Sequence, residues 1–123
     1  MVKQAVIPLA GQGTRMLPLT KVLPKELWSM GSKSILECIL DECFDAGIQQ
    51  VIFVISKQKE IIKKYFSQKK SLENTVKNKP DILKKLIYLN KISKKIKFVY
   101  QDKPRGLGHA VLCAEKLIKS KYF

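Results

Sequence analysis

The chain carries AVIPLAGQGTRMLPLTKVLPKE at residues 5–26, and this stretch decides the fold. The first apolar run of the chain, Val2–Leu9, has no alternating polar face. This pattern is typical of a strand buried in a parallel sheet. Gly11-Gln12-Gly13 follows, and its two glycines let backbone N–H groups come close to a ligand. A hydroxyl and three cations then suit a polyphosphate: Thr14, Arg15, Lys21 and Lys25. Together these features predict a cradle for a nucleoside triphosphate.

The glycine loop differs from two better-known phosphate-binding loops. No Gly-Lys-Ser/Thr follows the glycines, as a Walker A loop requires, and Met16 replaces the third glycine of a dinucleotide fingerprint. Because Pro18 and Pro24 disfavour a continuous helix, we expect a long irregular loop over the strand end. An ordinary strand-to-loop turn with its cations in water would contain the same glycines. The added spacing of Arg15 and Lys25-Glu26 favours the cradle.

Strands and helices are expected to alternate along the rest of the chain. Apolar periodicity and stop signals predict these elements: helix Ile35–Phe44, strand Val51–Ile55, a helical piece Ile82–Leu89, strand Ile96–Tyr100 and a helix from about Gly108. Ser56 is expected to cap a further helix, with an inner face of Ile61, Ile62, Tyr65 and Phe66. A break is expected at Asn78–Asp81. This alternation predicts a parallel α/β sheet.

A second glycine-containing segment, YQDKPRGLGHAV, occupies residues 100–111. In sheets of this class, ligands bind at the carboxyl ends of the strands. Both segments begin at strand ends, one after Leu9 and one after Tyr100. The two segments are therefore expected to face the same crevice.

Residues 3–26 resemble the signature of the sugar-1-phosphate nucleotidyltransferases, Gly-x-Gly-Thr-Arg-(Met/Leu)-x-Pro-x-Thr-Lys-x-x-Pro-Lys-Glu. The ending Pro24-Lys25-Glu26 is similar to the bacterial UTP–glucose-1-phosphate uridylyltransferases in particular. The second segment resembles that family's Gln-x-x-x-x-Gly-Leu-Gly-His-Ala-Val, where thymidylyltransferases usually have Gly-Leu-Ala-Gln-Ala. The resemblance extends over essentially the whole chain, more loosely between Lys57 and Lys95.

The resemblance implies an α/β fold, a Rossmann-like parallel sheet with flanking helices, truncated after about three βα units. Residues 1–123 would be the incomplete N-terminal nucleotide-binding part of a nucleotidyltransferase domain. The implied reaction converts UTP and glucose 1-phosphate into UDP-glucose and pyrophosphate, by in-line attack of the sugar phosphate on the α-phosphorus. Such catalysis depends mainly on positioning and charge neutralisation. The implied location is the cytoplasm, and a full-length protein could form a homo-oligomer.

The resemblance also assigns site residues. Arg15 would hold the β- and γ-phosphates and stabilise the leaving pyrophosphate, and Lys25 would reach the phosphates as a point charge. Gln101 suits base reading because its amide offers the uracil edge both a donor and an acceptor. The candidate nucleotide-binding residues are Ala10, Gly11, Gly13, Thr14, Glu26, Gln101 and Gly106.

Several of these residues have plainer interpretations. Lys25 and Glu26 could form a surface ion pair of little energetic weight. Gln101 could be a solvated residue at a strand end. His109, in the first turn of its helix, is interpreted as structural because its sequence neighbourhood offers no acid–base partner.

The family uses Mg²⁺, and the resemblance implies that the metal ligands are absent from this chain. One metal aspartate is expected on the strand that would follow Phe123, and a second, together with the sugar-phosphate lysine, later still. Asp102 follows the third strand without a second carboxylate, so no metal site is predicted there. The chain also departs from the family's Met-Leu-Pro-x-x-Asp-Lys-Pro after Glu26, where serines replace two prolines and an aspartate.

Composition narrows the classes of function. The net charge is +14, but Arg15 and Arg105 are the only arginines, whereas specific nucleic-acid readers favour arginine forks and aromatic stacking. A solvated lysine-rich face is therefore favoured over a nucleic-acid site. Three cysteines (Cys38, Cys43 and Cys113) fit neither a disulfide framework nor a zinc site. No apolar run of membrane-spanning length and no leader is expected.

Three functions stay open at this point. The first is the nucleotide-binding part of a UTP–glucose-1-phosphate uridylyltransferase, inactive by itself because the metal and sugar machinery is missing. The second is a non-enzymatic nucleotide-binding remnant or regulatory module. The third, supported only by the charge, is a basic protein that binds polyanions in a salt-sensitive manner.

Overall fold

The structure, a computed structural model, describes residues 1–123. A three-stranded parallel sheet lies at its centre, formed by Gln4–Pro8 (β1), Gln50–Ile55 (β4) and Ile96–Tyr100 (β5). Strand β4 lies between β1 and β5. The predicted α/β fold, with a parallel sheet and flanking helices, is confirmed.

Strand β4 is the middle of the sheet and the centre of the core. All five residues of Val51–Ile55 are fully buried, as expected for a strand covered on both faces. Their side chains alternate, so that Val51, Phe53 and Ile55 belong to one apolar cluster and Ile52 and Val54 to another.

Helices cover both faces of the sheet. The helices are α1 at Ile35–Asp45, α2 at Glu60–Tyr65, α3 at Lys70–Thr75, α4 at Pro80–Ser93 and α5 at Leu107–Cys113. Leu36 and Leu40 of α1 pack on the larger cluster, whereas Ala110 of α5 and Ala114 pack on the smaller one. No helix is both long and apolar enough to cross a membrane.

Helix α1 begins at a complete capping box. Ser34 Oγ accepts a hydrogen bond from the Glu37 backbone N–H, and the Glu37 carboxylate accepts one from the Ser34 N–H at 2.9 Å. Just before the helix, β2 (Ser29–Met30) and β3 (Lys33–Ser34) form a short antiparallel hairpin. The hairpin therefore leads the glycine-loop segment directly into the first helix of the core.

Two tyrosines join the lysine-rich helices to α1. The Tyr65 hydroxyl donates to Glu37, and the Tyr88 hydroxyl of α4 donates to Asp41, which also pairs with Lys33 at 2.5 Å. Burial and the hydrogen bond to Glu37 raise the pKa of Tyr65 to about 12. The hydrogen bond to Asp41 and then burial raise the pKa of Tyr88 to about 12. The region between Lys57 and Lys95 is thus largely helical, as predicted, and the two tyrosines anchor it to α1.

The prediction for the helix after β4 is partly wrong. Ser56 makes no side-chain capping hydrogen bond, because a 3₁₀ turn at Lys57–Lys59 separates it from α2. Ile62 and Phe66 are buried as expected, but Ile61 is exposed. Helix α4 begins at Pro80, inside the predicted break, because proline is well suited to the first helical turn.

Candidate functional site

A cleft of about 350 Å³ lies at the carboxyl ends of the three sheet strands. Residues from the loop after β1, from the turn after β4 and from the segment after β5 all line it. The two glycine-containing segments of the sequence therefore face one crevice, as the strand-end argument predicts.

The loop after β1 is irregular and is built from three 3₁₀ turns, Thr14–Met16, Leu19–Lys21 and Lys25–Leu27. Gly13 adopts a left-handed conformation with φ 62°, which L side chains rarely accept. The Thr20 hydroxyl donates to the Gly13 carbonyl at 2.7 Å and holds this bend. A Cβ at Gly13 would lie 3.1 Å from Thr20 Cγ2, whereas a Cβ at Gly11 would meet no protein atom within 4 Å. Gly13 thus shapes the loop, and Gly11 leaves open space in the cleft.

A buried ion pair fixes the far end of this loop. Lys59 Nζ lies 2.9 and 3.1 Å from the two carboxylate oxygens of Glu26. Lys59 belongs to the turn after β4, and both residues are only 8% exposed. The pair therefore ties the glycine-loop segment to the central strand. The interpretation of Glu26 as the surface partner of Lys25 is wrong, because Glu26 is buried and paired with Lys59.

Gln101 is also buried, at 5% exposure, and its side chain lines the cleft directly after β5. Its Nε2 lies 2.9 Å from Nδ1 of His109 and 3.4 Å from the Gly106 carbonyl oxygen. The interpretation of Gln101 as a solvated strand-end residue is wrong, because the amide is packed against α5 and its preceding loop.

The candidate residues divide into three groups by position. Four line the cleft: Ala10, Gly11, Thr14 and Gln101. Three do not line it but contact residues that do: Gly13 accepts a hydrogen bond from Thr20, Glu26 pairs with Lys59, and Gly106 accepts a hydrogen bond from Gln101. Arg15 and Lys25 are exposed on the loop and do not line the cleft.

Two cleft cations and an amide were not among the predicted site residues. Lys57, Gln58 and Lys59 form the turn after β4, and all three line the cleft. Lys21, recognised in the sequence as a cation suited to phosphate, lines it as well. The strand-end rule applies equally to Ile55, so it could have indicated this lysine turn from the sequence.

The cleft is cationic but does not form a metal site. Asp102 is the one carboxylate that lines it, against Lys21, Lys57 and Lys59. No group of three or more His, Cys, Asp or Glu side chains is placed to hold a metal ion. Because Mg²⁺ prefers an octahedral set of oxygen ligands, a single carboxylate among three lysines does not fit it.

Residues 4–123 match the family described as nucleotidyl transferase, and the chain belongs to that family. It is 38% identical to a UTP–glucose-1-phosphate uridylyltransferase of Bacillus subtilis (strain 168), over 99% of this chain and 42% of that protein. A Staphylococcus epidermidis protein of the same name is 39% identical over 99% of this chain and 43% of its own length. The chain thus spans less than half the length of these curated relatives.

Solved structures agree with the sequence comparison. A UTP-bound UGPase from Acinetobacter baumannii superposes with a TM-score of 0.89 at 39% identity, covering 97% of this chain and 42% of that one. A UDP-glucose pyrophosphorylase complexed with UDP-glucose gives a TM-score of 0.74 at 32% identity, again over 97% of this chain and 42% of the other. The resemblance inferred from the two motifs is confirmed.

Proposed function

We propose that this chain binds UTP in the cleft and forms the nucleotide-binding part of a UTP–glucose-1-phosphate uridylyltransferase. One observation carries the proposal: the glycine loop, the lysine turn and Gln101 meet at one edge of the sheet. The kinship with proteins of that name, and with a structure that holds UTP, supports it.

The phosphates would lie against the glycine loop. Space beside Gly11 lets the chain approach them closely, and the exposed Thr14 supplies a hydroxyl. Lys21 and Lys57 add positive charge from two sides of the cleft. Arg15 and Lys25, exposed on the same loop, would swing in over the β- and γ-phosphates, where the Arg15 fork can neutralise the leaving pyrophosphate.

The uridine would lie against Ala10, Gln101 and Gly106. Ala10 and Gln101 line the cleft, and Gly106 holds the Gln101 amide through its carbonyl oxygen. Glu26 would act through Lys59, whose ammonium group it holds in the cleft wall. This placement gives every predicted nucleotide-binding residue a contact with the nucleotide or with a residue that touches it.

The reaction proposed for the whole enzyme is attack of glucose 1-phosphate on the α-phosphorus of UTP, with UDP-glucose and pyrophosphate as products. The residues of this chain would hold UTP in line and neutralise the leaving phosphates. Mg²⁺, proposed for the whole enzyme, does not find its ligands among these residues. We therefore expect no pyrophosphate release by this chain alone.

Three free, half-buried cysteines agree with a reducing compartment such as the cytoplasm.

Calorimetric titration with UTP tests the proposal. The wild-type chain should bind UTP with a micromolar Kd, and Arg15→Ala should weaken binding by about tenfold or more. Lys84→Ala is the matched control, since it removes one positive charge from α4, outside the cleft. Equal weakening by both variants, with binding abolished by salt, would instead favour a nonspecific polyanion-binding protein.

A further inference from the structure

Gln101 and His109 are joined by a side-chain hydrogen bond whose direction can be deduced from their neighbours. We propose that His109 is a positioning residue: it fixes the Gln101 amide so that Oε1 faces the cleft and selects a base with N–H at its N3 position. Uracil has such an edge and cytosine does not. This inference deepens the proposed function and rests on it.

The orientation of the amide follows from the Gly106 carbonyl. A carbonyl oxygen can only accept, so the atom 3.4 Å from it must be the amide nitrogen, Nε2. The same nitrogen lies 2.9 Å from His109 Nδ1. Its two N–H groups are therefore directed at the Gly106 carbonyl and at the imidazole.

The imidazole must then accept at Nδ1. Cys113 Sγ, one helical turn further along α5, lies 3.9 Å from the same nitrogen, and its S–H is a donor. Both neighbours of Nδ1 thus offer hydrogens, which places the imidazole proton on Nε2. A reversed Gln101 amide would turn its oxygen toward the Gly106 carbonyl oxygen, and this contact would be repulsive in either imidazole tautomer.

Gln101 Oε1 remains as the free polar atom of this side chain. No protein group donates a hydrogen bond to it, and the residue as a whole is only 5% exposed. Trp28 Nε1 is the one unpartnered side-chain polar atom that is fully shielded from solvent, so Gln101 Oε1 is open to the cleft. Since Gln101 lines the cleft, Oε1 is the atom available to a bound base. The N3–H of uracil can donate to this oxygen, whereas cytosine would present a lone pair there, which repels the oxygen and displaces the water that would otherwise bind it.

The test compares UTP and CTP binding in the full chain and two variants. His109→Leu removes the acceptor at similar bulk, and His109→Asn restores an acceptor, Oδ1, near the place of Nδ1. In the wild-type chain we expect UTP to bind at least about tenfold more tightly than CTP. His109→Leu should lower this ratio by about tenfold, and His109→Asn should retain it.

A purely structural role for His109 would weaken UTP and CTP binding by the same factor, and an unchanged ratio in His109→Leu overturns the inference. Nitrogen NMR of the wild-type imidazole gives an independent reading. A proton on Nε2 supports the assigned geometry, and a proton on Nδ1 overturns it whether or not nucleotide binds. Equal binding of UTP and CTP by the wild-type chain overturns base selection alone, whereas binding of neither refutes the proposed function.

Discussion

Lys59 and Glu26 form a buried ion pair, with Nζ 2.9 and 3.1 Å from the carboxylate oxygens, that links the lysine turn after β4 to the end of the glycine loop. The sequence separates these residues by 33 positions, and both line or support the candidate UTP cleft. A charge left alone at this depth is costly, because little water can replace the lost partner. The pair therefore couples the shape of the cleft to the stability of the fold.

Breaking this pair should destabilise the protein. Glu26→Met leaves a buried ammonium group, and Lys59→Met leaves a buried carboxylate, so each should lower the free energy of unfolding by about 3 kcal/mol. The double variant should cost less than the two single variants together. Urea denaturation of the four proteins measures the coupling energy. Lys57→Met is the control, since Lys57 lies on the same turn without an ion-pair partner, and should change stability by less than about 0.5 kcal/mol. Additive single and double effects would show that the pair does not act as a unit.

The two glycines of the loop should respond to alanine in opposite ways. Gly13→Ala forces a side chain into the left-handed region and against Thr20, and should lower the free energy of unfolding by about 1–2 kcal/mol. Gly11→Ala meets no protein atom, so the fold should be unaffected, but its Cβ would occupy the space proposed for the nucleotide. UTP affinity should then fall by about tenfold or more. Full UTP affinity in a folded Gly11→Ala chain would contradict the proposed position of the nucleotide.

Gln4 should anchor the last residues of the chain to the sheet. Its Nε2 donates to Gln50 Oε1 at 2.8 Å and to the Leu117 carbonyl at 3.2 Å, and its Oε1 accepts from the backbone N–H groups of Lys119 and Ser120 at 2.8 and 2.9 Å. Gln4→Leu leaves these groups unpaired and should cost about 2 kcal/mol.

Hydrogen exchange at the two amides provides the readout for Gln4. Exchange at the Lys119 and Ser120 amides should accelerate in Gln4→Leu by more than the loss of global stability explains. Exchange at the β4 amides should change only as much as the global stability of the variant does. Gln49→Leu, at an exposed neighbouring position, is the control. Unchanged exchange at both amides would show that Gln4 does not hold this segment.

Stability should fall at alkaline pH because of Tyr65 and Tyr88. The pKa of each hydroxyl is raised from 10.0 to about 12, so the folded state favours the protonated phenols. The resulting stabilisation is complete below pH 10, where both states are protonated, and is lost as the pH rises from 10 toward about 12.

The double variant Tyr65→Phe/Tyr88→Phe tests this pH dependence. It should lose less stability than the wild type over that interval, because neither ring can ionise. The hydrogen bond to Glu60 raises the pKa of Tyr100 and the pairing with Asp41 raises the pKa of Lys33, so these two groups still contribute. Tyr122→Phe, which makes no hydrogen bond to a carboxylate, should follow the wild-type curve. The measurement is the free energy of unfolding in urea at a series of alkaline pH values, and parallel curves for wild type and double variant would refute the assignment.

Local patterns in the sequence were sufficient for the sheet and most of the helices. The third sheet strand was predicted at Ile96–Tyr100 and is observed at those bounds, because all of its residues except Lys97 are β-branched or aromatic and follow a lysine-rich turn. Ser56 was misinterpreted because the pattern of a capped helix does not reveal an intervening 3₁₀ turn. The glycine loop was found from its glycines and cations, and Gln101 was assigned by the family resemblance; the strand-end rule added only that the two segments face one crevice.

Contacts between distant side chains could not be predicted from local patterns. Glu26 follows Lys25 in the sequence, but burial brings it to Lys59 instead. His109 was interpreted as structural, without its contact to Gln101, because that contact depends on how α5 folds back over the end of β5. Either contact can be predicted only when it is known how the segments after β1, β4 and β5 pack around the cleft.

Titration of the folded chain with UTP tests the central claim most directly, using calorimetry with and without Mg²⁺ and circular dichroism to verify the fold. We predict saturable binding at one site with a micromolar Kd, weakened by Arg15→Ala and Gly11→Ala but not by Lys84→Ala. No binding of UTP by a chain that is demonstrably folded would contradict the account.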